Sequence, residues 1–308
     1  MLPHKTILPC LLFCLVLVGN ALPAQEMITK GQQDTLNCKR LKGVIIGQSV
    51  LGVGSLIGLY SIWYADYPQS SFHFINDNNE WKGMDKVGHA MTSYYLGKVG
   101  YESLKWSGVK EKNATIYGGM LGWAYLGIVE AFDGFSAEWG ASPLDFACNS
   151  LGSAMFIAQQ MAWKEQRILV KWSFHLTDHA RHNPSQLGRT LPERMLKDYN
   201  GQTYWLSANI SSLAGMNGKF PPWLNIAIGY GADGMIAPRS NPEEVDSSPI
   251  PYFKRQSQFY LSPDIDMTRI PTRSKTIRLL LNAVGFIKVP LPALEYCGSR
   301  LKFHYFYF

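Results

Sequence analysis

The sequence predicts an α+β protein: an N-terminal bundle of apolar helices that could be membrane-embedded, then a small antiparallel β-containing C-terminal domain. Three observations predict it. Long apolar segments before residue 170 carry polar residues at one-turn spacing, which is helix periodicity. From Tyr199 onward the chain turns aromatic and turn-rich, with short alternating segments that read as strands. The 308 residues are 46% hydrophobic and 17% charged, the balance of an ordered chain long enough for two modest domains. A 13% aromatic share suits places where apolar and wet surfaces meet, while a mean hydropathy of -0.08 argues against a mostly lipid-embedded protein.

Residues 1–24 read as an export signal. His4 and Lys5 precede an apolar run over residues 7–18, and Ala21-Leu22-Pro23-Ala24 offers a small-x-small cleavage site. Neither Cys10 nor Cys14 stands in a lipobox, so no lipid anchor is expected. After a polar lead, residues 43–65 run without a charge, long enough to cross a bilayer. Gly43, Gly47, Gly52, Gly54 and Gly58 in that run point instead to close packing in a bundle, and length alone does not decide between the two. Trp63, Tyr64 and Tyr67 fit the headgroup end of the membrane option.

Residues 66–84 form a polar loop, interrupted by Pro68 and the run Asn76-Asp77-Asn78-Asn79-Glu80. A helix is expected from Asp85, whose carboxylate can cap free amides, to about Trp106, and another over residues 111–132. Ser142-Pro143-Leu144-Asp145 is a capping-box pattern with proline at the first helical position. Its helix should reach Ile168 or beyond. Near Pro184 the character changes. Strands are expected over residues 203–210, 223–230, 256–261 and 301–308, with a helix over 273–286 and an exposed loop over 238–251. The domains are thus a signal at 1–24, a helical domain at 30–185 and an aromatic-rich β-containing domain at 199–308.

The chemistry concentrates between residues 85 and 152. Asp85 with His89, Glu130 with Asp133, and Asp145 with Asn149 each lie one turn apart, so three packed helices would converge six polar side chains in an apolar bundle. Lys86 and Ser142 join the same constellation. Each residue also has a plainer role. Asp85 caps a helix, Ser142 and Asp145 complete a box worth on the order of 1 kcal/mol, His89 is a hydrogen-bonded core histidine, and Asn149 bridges helices. Carboxylates with one imidazole suit a divalent ion, with His89, Glu130, Asp133 and Asp145 as candidate ligands and a metal-bound water beside Glu130 as a hydrolytic nucleophile. Lys86 would oppose a cation but could neutralise the carboxylates. A structural network is the preferred role, since no P-loop, HExxH, nucleophile elbow or dinucleotide fingerprint is present. No cofactor other than a divalent metal is suited.

Asp85-Lys86-Val87-Gly88-His89, Glu130-Ala131-Phe132-Asp133 and Trp139-Gly140-Ala141-Ser142-Pro143-Leu144-Asp145-Phe146-Ala147-Cys148-Asn149-Ser150-Leu151-Gly152 resemble the YfiM-type family of unknown function, described as predicted periplasmic lipoproteins. The same ordered residues are similar, more distantly, to the VanZ-like proteins, where they occur among membrane helices. The segment Asp198-Tyr199-Asn200-Gly201-Gln202-Thr203-Tyr204-Trp205 and the terminal Phe308 are similar to the longer Bacteroidetes-type members. The resemblance covers about residues 80–165. It implies an exported, envelope location and no established activity, and the missing lipobox is a departure from the lipoprotein description.

Other features are less specific. Cys38, Cys148 and Cys297 make neither a disulfide framework nor a zinc ribbon. His175, His179 and His182 with Asp178 fall at i, i+4 and i+7, read as a solvated helix face rather than a metal site. In the last strand Leu301, Phe303, Tyr305 and Tyr307 share one face and Lys302, His304, Phe306 and Phe308 the other. Four strands fall short of a barrel, so a small sheet at a membrane surface is expected. The net charge of +6 suits an anionic lipid surface but lacks the dense basic stripe that nucleic acid requires. The expected role is a non-catalytic envelope component on the periplasmic side, membrane-associated, with the outer membrane slightly favoured. Its expected partners are lipid and envelope proteins. The competing role is a metal-dependent hydrolase of envelope lipid or glycan.

Overall fold

The computed structural model describes residues 35–65, 67–216 and 220–308, so the expected signal over 1–24 lies outside the described residues. Helices precede an antiparallel sheet, the α+β class expected. Residues up to Asp77 with His89–Gln166 make one compact unit, and Asn78–Gly88 with Arg167–Phe308 make the other.

In the first unit, helix α1 (Cys38–Leu59) is capped by Asn37, whose Oδ1 accepts from Arg40 N at 3.0 Å. It runs into a π-helical turn, Tyr60–Tyr64. Two of its polar residues face the protein: Gln48 Nε2 donates to Ser103 Oγ at 2.6 Å, and the hydroxyls of Ser55 and Tyr125 lie 2.9 Å apart. Ile45, Ile46, Val50, Leu51, Val53 and Ile57 are exposed. Only 6% of its most apolar window is buried, which departs from a buried bundle helix. Four glycines of α1 do not serve close packing either, because a Cβ on Gly43, Gly47, Gly52 or Gly54 would meet nothing within 4 Å.

Close packing occurs among the other helices. Helix α2 (Met84–Trp106) changes units one turn in. A helical turn at Glu111–Asn113 and a π-helical turn at Ala114–Gly118 lead to α3 (Leu121–Gly134). Helix α4 (Pro143–Trp163) starts as expected, with Ser142 Oγ accepting from Asp145 N at 3.2 Å and proline in the first turn. A Cβ on Gly122 would lie 2.2 Å from Ser93 O, and one on Gly152 would lie 2.0 Å from Ala90 O. Only glycine allows these backbones so close. Helix α4 ends earlier than expected, with Lys164 left-handed at φ 59°.

The second unit is built on a six-stranded antiparallel meander. Its strands are β1 (Ile168–Phe174), β2 (Gln202–Asn209), β3 (Leu224–Asp233), β6 (Gln256–Ile265), β7 (Leu291–Cys297) and β8 (Arg300–Tyr307), neighbours in that order. A two-residue hairpin, β4 (Glu244–Val245) with β5 (Ser248–Pro249), interrupts the connection from β3 to β6. Strands β1 and β7 were not expected from the sequence. Because β1 follows α4 after four residues, the sheet unit begins well before residue 185. The free edge of β1 meets the segment ahead of β7: Trp172 N donates to Phe286 O and Lys288 N to Trp172 O, both at 2.9 Å. Helix α5 (Leu191–Lys197) precedes β2, and α6 (Lys275–Ala283) lies inside the expected helical range.

Register places Lys171, Trp205, Gly229, Tyr260, Glu295 and Lys302 on one rung and Val170, Leu206, Ile228, Leu261, Leu294 and Phe303 on the adjacent one. The first rung faces inward except at its β8 end, where Lys302 is exposed, and Trp205, Ala227, Tyr260, Ala293 and Tyr307 cluster on that side. Gly229 leaves room for the Trp205 ring, 2.7 Å from where a Cβ would stand. A register shift in the β7–β8 ladder pairs His304 with Ala293 and Tyr307 with Leu291. Tyr307 is consequently buried while Tyr305 and Phe306 are both exposed, which breaks the simple alternation expected for this strand.

Candidate functional site

Helices α2, α3 and α4 bring His89, Glu130 and Asn149 together in the first unit. His89 Nδ1 lies 3.1 Å from Asn149 Oδ1 and 3.7 Å from Glu130 Oε1. The backbone N–H of Ser142 donates to Glu130 Oε2 at 3.0 Å, and its hydroxyl donates to Asp77 Oδ1 at 2.7 Å while capping Asp145 N. Ser93 fixes the same turn of α4, donating to Asn149 O at 2.7 Å and lying 2.9 Å from Ser153 Oγ. Asp133 stands one turn beyond Glu130 and accepts from the Tyr64 hydroxyl at 2.6 Å.

Of the residues expected at the site, His89, Glu130, Asp133, Ser142, Asp145 and Asn149 all lie in this unit. Asp85 and Lys86 fall in the other unit, where Lys86 Nζ sits 3.2 Å from Asp85 Oδ2. Tyr64 and Asp77 join the network from a π-turn and a loop, where no periodicity marked them. The expected helical histidine face does not form. His175 lies just past β1 and packs on Tyr307, His179 Nε2 pairs with Asp233 Oδ1 at 2.8 Å, and His182 packs on Phe253. Cys38 and Cys297 are free thiols.

Glu130 and Asn149 are buried, at 5% and 0% exposure. Burial pushes the Glu130 carboxyl up to about 7, against the opposing pull of the Ser142 N–H and His89. Burial likewise raises Asp133 to about 6, against the Tyr64 hydrogen bond. A carboxyl near neutrality can exchange a proton, and a nitrogen of His89 with one oxygen each of Glu130 and Asp145 lie within 4.8 Å of one another. Those three atoms could hold a divalent ion after a modest contraction.

This constellation lies within a recognised stretch. Residues 73–160 match a family model described as "Predicted periplasmic lipoprotein (DUF2279)". The matched stretch contains every residue of the network except Tyr64. It supports a periplasmic, membrane-associated location, and its description carries no activity. Neither the comparison with curated proteins nor that with solved structures found a match.

The second unit holds a charged cluster that sequence reasoning missed. Lys171 Nζ lies 2.8 Å from Asp264 Oδ2, and Lys288 Nζ 3.7 Å from Asp264 Oδ1, with all three side chains fully buried. Ser207 Oγ donates to Asp264 Oδ2 at 2.6 Å, and Lys288 Nζ stands 5.0 Å over the Trp205 ring. Alternation on the strands was the available signal. Lys171, Trp205 and Asp264 all occupy inward positions.

Proposed function

We propose that this chain is a non-catalytic, membrane-associated component of the cell envelope on the periplasmic side, accessory to outer-membrane or envelope assembly. One observation carries this. Helix α1 turns Gln48 and Ser55 toward the protein and leaves Ile45, Ile46, Val50, Leu51, Val53 and Ile57 exposed, the reverse of a helix that meets water on its outer face. At 22 residues it is long and apolar enough to cross a bilayer. Lipid is the primary partner and envelope proteins the secondary one. The signal at 1–24 delivers the chain, and the outer membrane is slightly favoured over the inner. The finer resemblances to YfiM-type and VanZ-like proteins belong to the same proposal. In it the helical unit carries the polar network as a packing device, and the aromatic sheet unit serves contact.

Washing native membranes with high salt and then at alkaline pH tests this. Apolar burial resists both treatments, so the chain should stay in the pellet. Release by salt alone would sink membrane anchoring in favour of charge adsorption.

A second role, a divalent-metal site serving hydrolysis, is favoured by the approach of His89, Glu130 and Asp145. Elemental analysis of purified wild type and His89→Ala decides it. Stoichiometric metal in the first and none in the second would overturn the structural role, and no metal in either would retire the hydrolase.

A further inference from the structure

We propose that the outward face of the six-stranded sheet is embedded in lipid hydrocarbon, an inference that rests on the membrane association above. The polarity of the sheet is inverted. The outward rung is apolar on every strand, exposed at Leu206, Ile228, Leu261, Leu294 and Phe303 from β2 to β8 and buried at Val170 on β1, and no outward position on the strands carries a charge. Ile228 is 58% exposed and Phe303 56%, with Ile226, Phe259, Tyr296, Leu301, Tyr305 and Phe306 exposed around them.

The inward face bears the charges. Lys171, Asp264 and Glu295 point inside together with Ser207, Asn209, Asn225 and Ser262, all buried. A sheet in water does the opposite, setting apolar residues against its core and polar ones outward. Polar inside with an apolar outer band is the arrangement of a lipid-facing barrel. Enclosure follows the same logic: Thr203 Oγ1 on β2 lies 3.0 Å from the Tyr307 hydroxyl on β8, and residues 286–288 meet the free edge of β1. Strands β3 and β6, at 10 residues each, reach the length of a membrane strand.

Charge complementarity selects lipid over a second copy of the chain. Cationic residues flank the uncharged band at its ends. Lys254 and Arg300 lie at the end where β6 and β8 begin, and Arg273, Lys275 and Arg278 lie where β6 leads into α6. Helix α6 is itself amphipathic and exposes Ile277 and Leu280 beside its basic residues, the form of a helix lying among anionic headgroups. A second copy would cover one side, whereas the band runs from β2 to β8.

The test uses the full chain with Cys10, Cys14, Cys38, Cys148 and Cys297 changed to serine, and single substitutions Ile228→Cys, Leu261→Cys or Tyr252→Cys carrying a bimane label. Each is reconstituted in phosphatidylethanolamine–phosphatidylglycerol vesicles containing doxyl-labelled phosphatidylcholine, with folding checked by circular dichroism. Expected is loss of fluorescence to the lipid quencher at 228 and 261, and loss to aqueous iodide at 252 in the exposed loop. Iodide quenching at 228 and 261 in vesicle-bound protein would overturn the inference while leaving membrane association intact. Protection from both quenchers, with cross-linked dimers, would overturn it in favour of a second copy. Failure to enter vesicles at all would remove membrane association as well.

Discussion

Ser142 donates its backbone N–H to Glu130 Oε2 at 3.0 Å, so the first free amide of α4 is satisfied by an acid from α3. The contact joins two helices through a group that any residue other than proline would carry. It therefore depends on Glu130. Glu130→Gln keeps an acceptor and should change stability little, whereas Glu130→Ala leaves a buried N–H without a partner and should cost roughly 1–3 kcal/mol. Urea unfolding of detergent-solubilised protein checks both. Equal losses in the two variants would show that the hydrogen bond is not what matters.

The same acids set a pH dependence. Glu130 rises from 4.5 to about 7 and Asp133 from 3.8 to about 6, each through burial. The folded state thus holds protons that the unfolded state has released. Their stabilisation is fully present below the unfolded values and is lost as pH climbs through 6 to 7. Stability in chelator-treated buffer should fall between about pH 4 and pH 7, and the fall should shrink in Glu130→Gln with Asp133→Asn. An unchanged slope in the double variant would assign the effect elsewhere.

Tyr64→Phe removes the donor to Asp133 Oδ1 without changing shape. It should cost on the order of 1–2 kcal/mol and push the Asp133 carboxyl further up, because the hydrogen bond opposes burial. A carboxyl titration followed by carbon NMR would register the shift.

Much of this was legible. The box Ser142 to Asp145 and Pro143 marked the start of α4, and one-turn pairs marked His89, Glu130, Asp145 and Asn149, because local chemistry and periodicity are written in adjacent residues. Asp77 and Tyr64 were not legible, since they reach the network from segments without periodicity. Strand β1 was hidden behind the end of α4, where the left-handed Lys164 takes the place of a glycine or proline signal. Pro292 disguised β7. The inward Lys171 and Asp264 ran against the expectation that charges lie outside, so the two faces of the sheet could not be assigned from sequence.

Glycines offer a separate check. Gly47→Ala or Gly54→Ala in α1 meets open space and should be neutral or stabilising by up to about 1 kcal/mol. Gly122→Ala and Gly152→Ala drive a methyl into the neighbouring backbone and should cost at least roughly 1–3 kcal/mol. Unfolding midpoints of the four variants should separate into these pairs, and a common shift would contradict the packing described.

Asp264→Asn leaves Lys171 and Lys288 buried without their counter-charge and should cost roughly 3–5 kcal/mol. Changing all three residues to apolar ones of similar volume should recover much of it. Thermal unfolding of single and triple variants distinguishes a paired cluster from three independent residues.

The alternation along the sheet has a consequence for when its apolar face exists. That face is drawn from separate strands, at Leu206, Ile228, Leu261, Leu294 and Phe303, and is assembled only when the strands pair. Among the described residues, only α1 would register as a membrane span on hydropathy. Under the proposed lipid contact, the sheet can enter hydrocarbon only after its strands have paired, so insertion of this face follows folding.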